Sequence, residues 1–174
     1  MMHKLEVDST MLSFGMRNIL SNVYLKCETG KITGLLGRNG QGKTCLMNII
    51  CGSLEPDSKS VRFDDKTLVK AFKRPDVLIY LPQFNFIPKG FTLKGVFKDY
   101  QIDFSYFENI FPEFRLKYSS PLKILSGGQR RLVEVYIIIR SITQFVLLDE
   151  PFSHIMPLHI DKIKEILIEE KKAK

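Results

Sequence analysis

Ile32-Thr33-Gly34-Leu35-Leu36-Gly37-Arg38-Asn39-Gly40-Gln41-Gly42-Lys43-Thr44-Cys45-Leu46-Met47-Asn48-Ile49-Ile50 reads as strand, loop and helix in immediate succession. The apolar run Ile32–Leu36 predicts a core strand, and the stretch from Cys45 to Ile50 predicts a helix that ends at Gly52. Between them, Gly37 to Thr44 fits the pattern G-x-x-x-x-G-K-[ST], in the strand-to-helix context that gives the pattern its meaning. Glycines at 37, 40 and 42 let the backbone curl so that successive N–H groups face an anion, and the new helix adds the positive end of its dipole. Lys43 is then placed for β- and γ-phosphates, and the Thr44 hydroxyl for Mg²⁺. The nucleotide-binding stretch is Gly37, Arg38, Asn39, Gly40, Gln41, Gly42, Lys43, Thr44 and Cys45.

A phosphate-bound Mg²⁺ needs a second protein contact, and hydrolysis needs a group that orients and deprotonates water. Gln144-Phe145-Val146-Leu147-Leu148-Asp149-Glu150-Pro151 supplies candidates for both. Four apolar residues in a row predict a strand buried on both faces, as in a parallel sheet, with two carboxylates at its C-terminal end. Ligands of open α/β sheets bind at that edge. Asp149 is the candidate metal carboxylate and Glu150 the candidate general base. Taken alone, Asp-Glu-Pro is an acidic turn; following a phosphate loop, it gains a role.

Leu125-Ser126-Gly127-Gly128-Gln129, followed by Arg130-Arg131, sits between these two motifs. Ser126 is a good N-cap, Gly127 and Gly128 leave the backbone open, and Leu132, Val135, Tyr136 and Ile139 form one apolar face behind them. Such a helix start is a second anion site, for which a nucleotide already cradled at residues 37 to 44 has little use within one subunit. The five-residue run resembles the signature of ATP-binding cassette (ABC) ATPases, a branch of the P-loop NTPases. The resemblance implies that Ser126, Gly127, Gly128 and Gln129 cover the γ-phosphate of ATP bound by the opposite subunit of a head-to-tail dimer.

Further family positions carry over residue by residue. Gln83, in Tyr80-Leu81-Pro82-Gln83, resembles the glutamine that contacts Mg²⁺ and water; in isolation it would be a loop residue. Phe14, in Leu12-Ser13-Phe14-Gly15, resembles the aromatic that stacks on adenine, for which any π-face serves; its alternative is a strand residue facing the core. Ser153-His154-Ile155-Met156-Pro157 occupies the segment where the family has Ser-x-Leu-Asp, and Met156 stands in place of the aspartate. The family's switch histidine follows the next strand, whereas the sequence stops at Lys174 after a helical stretch from Leu158 to Lys172. His154 and His159 do not match it and read as surface or cap residues. The expectation is either a sequence truncated before the family's last strands or a shortened cassette whose hydrolysis is impaired or differently assisted.

A length of 174 residues suits one well-buried domain. The longest apolar runs fall well short of the ~20 residues of a membrane span, and Met1 to Thr10 lacks an apolar signal core. Cys27, Cys45 and Cys51 show no metal spacing and fit free thiols in a reducing cytoplasm. The net charge of +7 is dispersed; short basic pairs such as Arg130-Arg131 and Lys171-Lys172 read as solvated surface, not a nucleic-acid footprint.

The expected fold is therefore α/β: one domain over 1–174, with a P-loop NTPase core built on a mostly parallel sheet. An N-terminal antiparallel β-layer with strands at Lys4–Val7 and Leu20–Cys27, and an α-helical subdomain over about 84–140, complete it. Strands are expected at Ser60–Phe63, turning at Asp64-Asp65-Lys66, and at Val77–Leu81. Residues 84–118 hold 11 of the chain's 19 aromatics, with a helix capped by Thr92, carrying Val96, Phe97 and Tyr100 on one face, and another over Asp103–Phe111. These aromatics read as core; any that are exposed would form a groove for a membrane subunit.

The resemblance implies a cytoplasmic ATP hydrolase that binds ATP and Mg²⁺, pairs with a second ABC subunit of the same or another kind, and powers a separate transmembrane permease. Contact with the inner face of the membrane would come through that partner. Alternatives are a soluble ABC ATPase acting on nucleic acid or the ribosome, for which coiled-coil insertions and tandem cassettes are missing, and a nucleotide-gated module with little turnover.

Overall fold

The computed structural model describes residues 2–173 and divides them into two units. One gathers the chain up to Tyr80 with Thr143–Asp149 and the segment from Lys171; the other gathers Leu81–Ile142 and Glu150–Glu170.

In the first unit, β1 (Lys4–Phe14) and β2 (Arg17–Glu28) form a long antiparallel hairpin, and β3 (Ser58–Phe63) and β4 (Lys66–Thr67) continue the sheet in the order β2-β1-β3-β4. Both N-terminal strands extend beyond their expected bounds. β1 contains an irregularity that alternation alone does not reveal: Leu5 and Val7 are buried, and so are Thr10 and Leu12, so the inward face changes parity. Ser9, with φ 50°, is the extra residue at the register shift between Val7 and Thr10. A bulge of this kind keeps one face on the core across the break. At the β3–β4 turn, Asp64 and Asp65 have φ of 48° and 63°, the left-handed pair that a two-residue hairpin requires. The Asp64 carboxylate accepts from the Lys4 N–H at 2.8 Å and lies 2.6 Å from His3 Nδ1. These contacts hold the carboxyl below the usual carboxylate range.

Helix α1 (Lys43–Cys51) opens after Gly42 and closes at Gly52, both in left-handed conformation. Its apolar side, Leu46, Ile49, Ile50 and Cys51, packs with Leu5, Val7, Leu12, Leu20, Val61, Phe63 and Phe145 in one core. Burial there pushes the Cys51 thiol up to about 12, so it is an inert core group, and all three cysteines are free. β5 (Leu78–Leu81) pairs with β6 (Phe145–Leu148) in a separate two-stranded parallel sheet.

Two expectations for this unit fail. Ile32–Leu36 forms no strand: the run is irregular and exposed, with Leu36 94% accessible. An apolar run becomes a strand only with a ladder partner for its N–H and C=O groups, and no described strand pairs with it. β6 is likewise only partly buried: Phe145 is in the core while Val146, Leu147 and Leu148 are intermediate. A sheet of two strands leaves less to cover them.

The second unit is helical. α2 (Leu93–Asp99) is capped by Thr92 Oγ1, which accepts from the Gly95 N–H, and α3 (Phe104–Ile110) by Asp103, which accepts from the Ser105 N–H at 2.8 Å. Tyr100 lies at the C-cap of α2 and is half-buried. Phe97, Phe107 and Phe111 pack around Tyr136 of α4 (Gly127–Arg140), Phe107 edge-on with its centroid 4.8 Å away, and Phe104 and Phe114 pack in turn on Phe107. Five aromatics of the run are buried, Phe86, Tyr100 and Tyr118 are half-buried, and Phe84, Phe91 and Tyr106 are exposed. α4 is not amphipathic as expected: every residue from Arg130 to Ile139 is buried. α5 (Pro157–Ala173) buries Ile163 and Ile166. Its His159 is partly buried, 3.0 Å from Glu113 Oε1 and edge-on to Phe111, and so is a packing residue, not a surface one. No helix among the described residues is long and apolar enough to cross a membrane.

Candidate functional site

Local backbone chemistry shapes the loop of the first unit. Gly40 and Gly42 sit at φ 79° and 84°, where a β-carbon is disfavoured. A Cβ at Gly42 would also stand 2.8 Å from Ile19 Cγ2 and 2.9 Å from Leu20 Cδ2. Gln41 braces the curl, its Oε1 accepting from the Arg38 N–H at 2.7 Å. Lys43 folds back over the loop, its Nζ donating to the carbonyls of Gly37 at 2.7 Å and Arg38 at 3.0 Å. The ammonium thus lies on the carbonyl side of the turn.

Thr44 and Asp149 are 105 residues apart in sequence, yet the Thr44 hydroxyl donates to Asp149 Oδ2 at 2.6 Å. Tyr80, from β5, donates to the same oxygen at 3.1 Å. Asp149 is buried, and a buried carboxylate persists only with such donors. A hydroxyl and a carboxylate brought together at the end of a phosphate loop are the hard oxygen donors that Mg²⁺ takes alongside nucleotide phosphates. The residues therefore fit that ion. Cys45 follows on α1, half-buried. Phe14 ends β1 and is 55% exposed; it does not face the core.

In the second unit, Ser126 and Gln129 form a capping box at the start of α4: the Gln129 N–H donates to Ser126 Oγ and the Ser126 N–H to Gln129 Oε1, both at 3.2 Å. Lys117 Nζ donates a second bond to Gln129 Oε1 at 3.2 Å. Gly127 has open space where a Cβ would be, whereas a Cβ at Gly128 would lie 2.3 Å from the His154 carbonyl oxygen. Gly128 is thus required for the close approach of the segment after Glu150. Glu150 is exposed, has φ 45°, and accepts from Ser153 Oγ at 3.1 Å. Gln83 is exposed on the loop after β5. Met156 is exposed beside buried Ile155.

The family profile described as ABC transporter matches residues 20–153. The chain belongs to the ABC family. Among curated relatives, this cassette is 27% identical to the high-affinity branched-chain amino acid transport ATP-binding protein BraG of Pseudomonas aeruginosa, over 94% of its own length and 75% of that protein's. It is 32% identical to the lipopolysaccharide export system ATP-binding protein LptB of Escherichia coli, over 87% and 68% of the two chains. In fold it is similar to the solved ATP-binding subunit of an ABC transporter, with TM-score 0.78 and 23% identity over 97% of this chain and 75% of that one. A putative ABC transporter ATP-binding protein from Pyrococcus furiosus gives TM-score 0.77 at 21% identity, over 96% and 87%.

Three residues of the cassette escaped the motif reading. Tyr80 lies in an apolar strand run where only its phenolic tip hints at a polar partner. Arg130 and Arg131 are not solvated surface: they are 8% and 2% exposed. Their signal was their place, on a helix with apolar residues on every side.

Proposed function

We propose that this ABC cassette binds Mg-ATP at Gly37 to Cys45 and hydrolyses it in a head-to-tail dimer that powers a separate transmembrane permease. The observation that carries this reading is the 2.6 Å bond between Thr44 and Asp149, which joins the phosphate loop to the acidic strand end. Lys43 holds the β- and γ-phosphates, and Phe14 offers its exposed ring to adenine. Thr44 and Asp149, joined by their hydrogen bond, would hold Mg²⁺, with Gln83 assigned to the same ion by the family resemblance; the ion would supply positive charge against the phosphate oxygens. Glu150 takes the proton of the attacking water. Ser126 to Gln129 present an ordered helix start to nucleotide held by a second cassette, of the same or another kind. The permease brings the cassette to the inner face of the membrane. Cargo and direction lie with that partner, since the relatives' names cover amino acid transport and lipopolysaccharide export.

Light scattering of the Glu150→Gln variant tests the assembly. Its mass is expected to double on adding Mg-ATP and to stay monomeric without nucleotide. A mass that ignores saturating Mg-ATP would rule out nucleotide-driven pairing of this chain with itself.

A further inference from the structure

Three side chains near the start of α4, Arg130, Arg131 and Glu134, grip the segment that carries Gln83. Arg131 Nη1 donates to the Pro82 carbonyl at 2.6 Å, immediately before Gln83. At the other end of the segment, Arg130 Nη2 donates to the Ile87 carbonyl at 2.9 Å, and the Ile87 N–H donates to Glu134 Oε1 at 3.1 Å. Arg130, Arg131, Glu134 and Ile87 are all buried, so these bonds do not compete with water. Gln83 thus sits on a short span fixed to one helix at both ends.

The same Arg131 guanidinium has a second carbonyl partner. Its Nη2 donates to the Glu150 carbonyl at 3.1 Å, and the Ser153 N–H donates to that carbonyl oxygen at 3.2 Å. Glu150 has φ 45°, a conformation that a residue with a β-carbon keeps only when its surroundings hold it. A guanidinium is a planar fork of fixed donor directions, so it sets the two carbonyls at a defined separation; an ammonium on a flexible stem has no such geometry.

We propose that Arg131 is a positioning residue for ATP hydrolysis: it anchors the backbone of Pro82 and of Glu150 to the helix headed by Ser126, and thereby sets Gln83 and the Glu150 carboxylate together. This rests on the hydrolytic reading above. It gives the signature helix a direct backbone link to both groups assigned to the attacking water. A shift of α4 along its axis carries the Pro82 and Glu150 carbonyls with it, and with them the two side chains.

The test uses Arg131→Lys and Arg131→Met in the full chain, with hydrogen–deuterium exchange and steady-state ATP turnover measured side by side. The lysine variant keeps the charge and can reach one carbonyl, which guards against simple loss of the fold. In both variants, exchange is expected to rise about tenfold at Gln83–Phe86 and at the Ser153 amide, with α1 and the β1–β3 amides unchanged. In the lysine variant, kcat is expected to fall about tenfold with KM for ATP within about twofold of the wild type, the pattern of a lost transition-state contact. Wild-type exchange at those positions in both variants, loss of protection spread evenly over the helical unit, or a rise in KM at constant kcat would each overturn the proposal. A wild-type chain that binds ATP without releasing phosphate would remove the hydrolytic reading, and the local exchange profile would then decide the anchoring on its own.

Discussion

Replacing Glu150 with Gln is expected to lower the steady-state release of phosphate from Mg-ATP by about 10² to 10⁴, the range contributed by a positioned general base. The substitution isolates proton transfer because the amide has the carboxylate's shape. Its Oε can still accept from Ser153 Oγ, the partner Glu150 has at 3.1 Å. The backbone at φ 45° demands nothing of a glutamine that it did not demand of the glutamate. The contacts of Lys43 and Thr44 lie on Gly37, Arg38 and Asp149, so ATP affinity is expected to hold. Phosphate release at saturating Mg-ATP, measured beside nucleotide affinity, separates the two effects. Equal turnover in both proteins would remove Glu150 from the catalytic role.

Gly52→Ala is expected to destabilise the chain more than any alanine placed in open space. Gly52 closes α1 at φ 78°, a conformation that costs an L-residue about 1–2 kcal/mol. The added Cβ would lie 2.2 Å from the Val69 carbonyl oxygen and 3.0 Å from Lys70 Cα. Both neighbours are backbone, so relief needs the loop before Ala71 to move, at an overpacking cost of about 1–3 kcal/mol. The helix-propensity gain of alanine does not offset this, because the residue lies past the helix end. A total near 3 kcal/mol corresponds to a fall in melting temperature of about 6–12 °C for a chain of this size. Gly15 makes the control: its φ is 59° but nothing lies within 4 Å of its Cβ position, so Gly15→Ala should carry the backbone cost alone. Equal shifts for the two variants would show that the contact with Val69 does not matter.

The parts of the cassette legible in the sequence are those whose function is local. Gly37 to Thr44 and Leu125 to Gln129 each encode their own geometry: glycines where φ is positive or a carbonyl approaches, and a Ser–Gln capping box at the helix start. Thr92 and the Asp64-Asp65 turn were equally plain, since caps and tight turns are decided within a few residues. What stayed hidden depends on partners distant in sequence. Ile32–Leu36 has the composition of a strand, but pairing is a property of two segments, and the second does not show in the first. Arg130 and Arg131 look like surface charge until the carbonyls of Pro82, Ile87 and Glu150 are seen to receive them. Tyr80 belongs to the site only because β5 and β6 are neighbours, which sets its hydroxyl 3.1 Å from Asp149. The bulge at Ser9 was invisible because alternation resumes on both sides of it with opposite parity.

Calorimetric titration of ATP into the wild-type chain and into Thr44→Val, each with and without Mg²⁺, tests most directly whether the phosphate loop and Asp149 form one metal-assisted nucleotide site. Valine keeps the shape of threonine and removes the hydroxyl that donates to Asp149 Oδ2. Mg²⁺ is expected to tighten ATP binding to the wild type by about tenfold or more, and to give Thr44→Val little of that gain, the loss of one oxygen ligand to a hard cation. ATP affinity that is the same with and without Mg²⁺ in the wild type, or a wild type that does not bind ATP, would contradict the account.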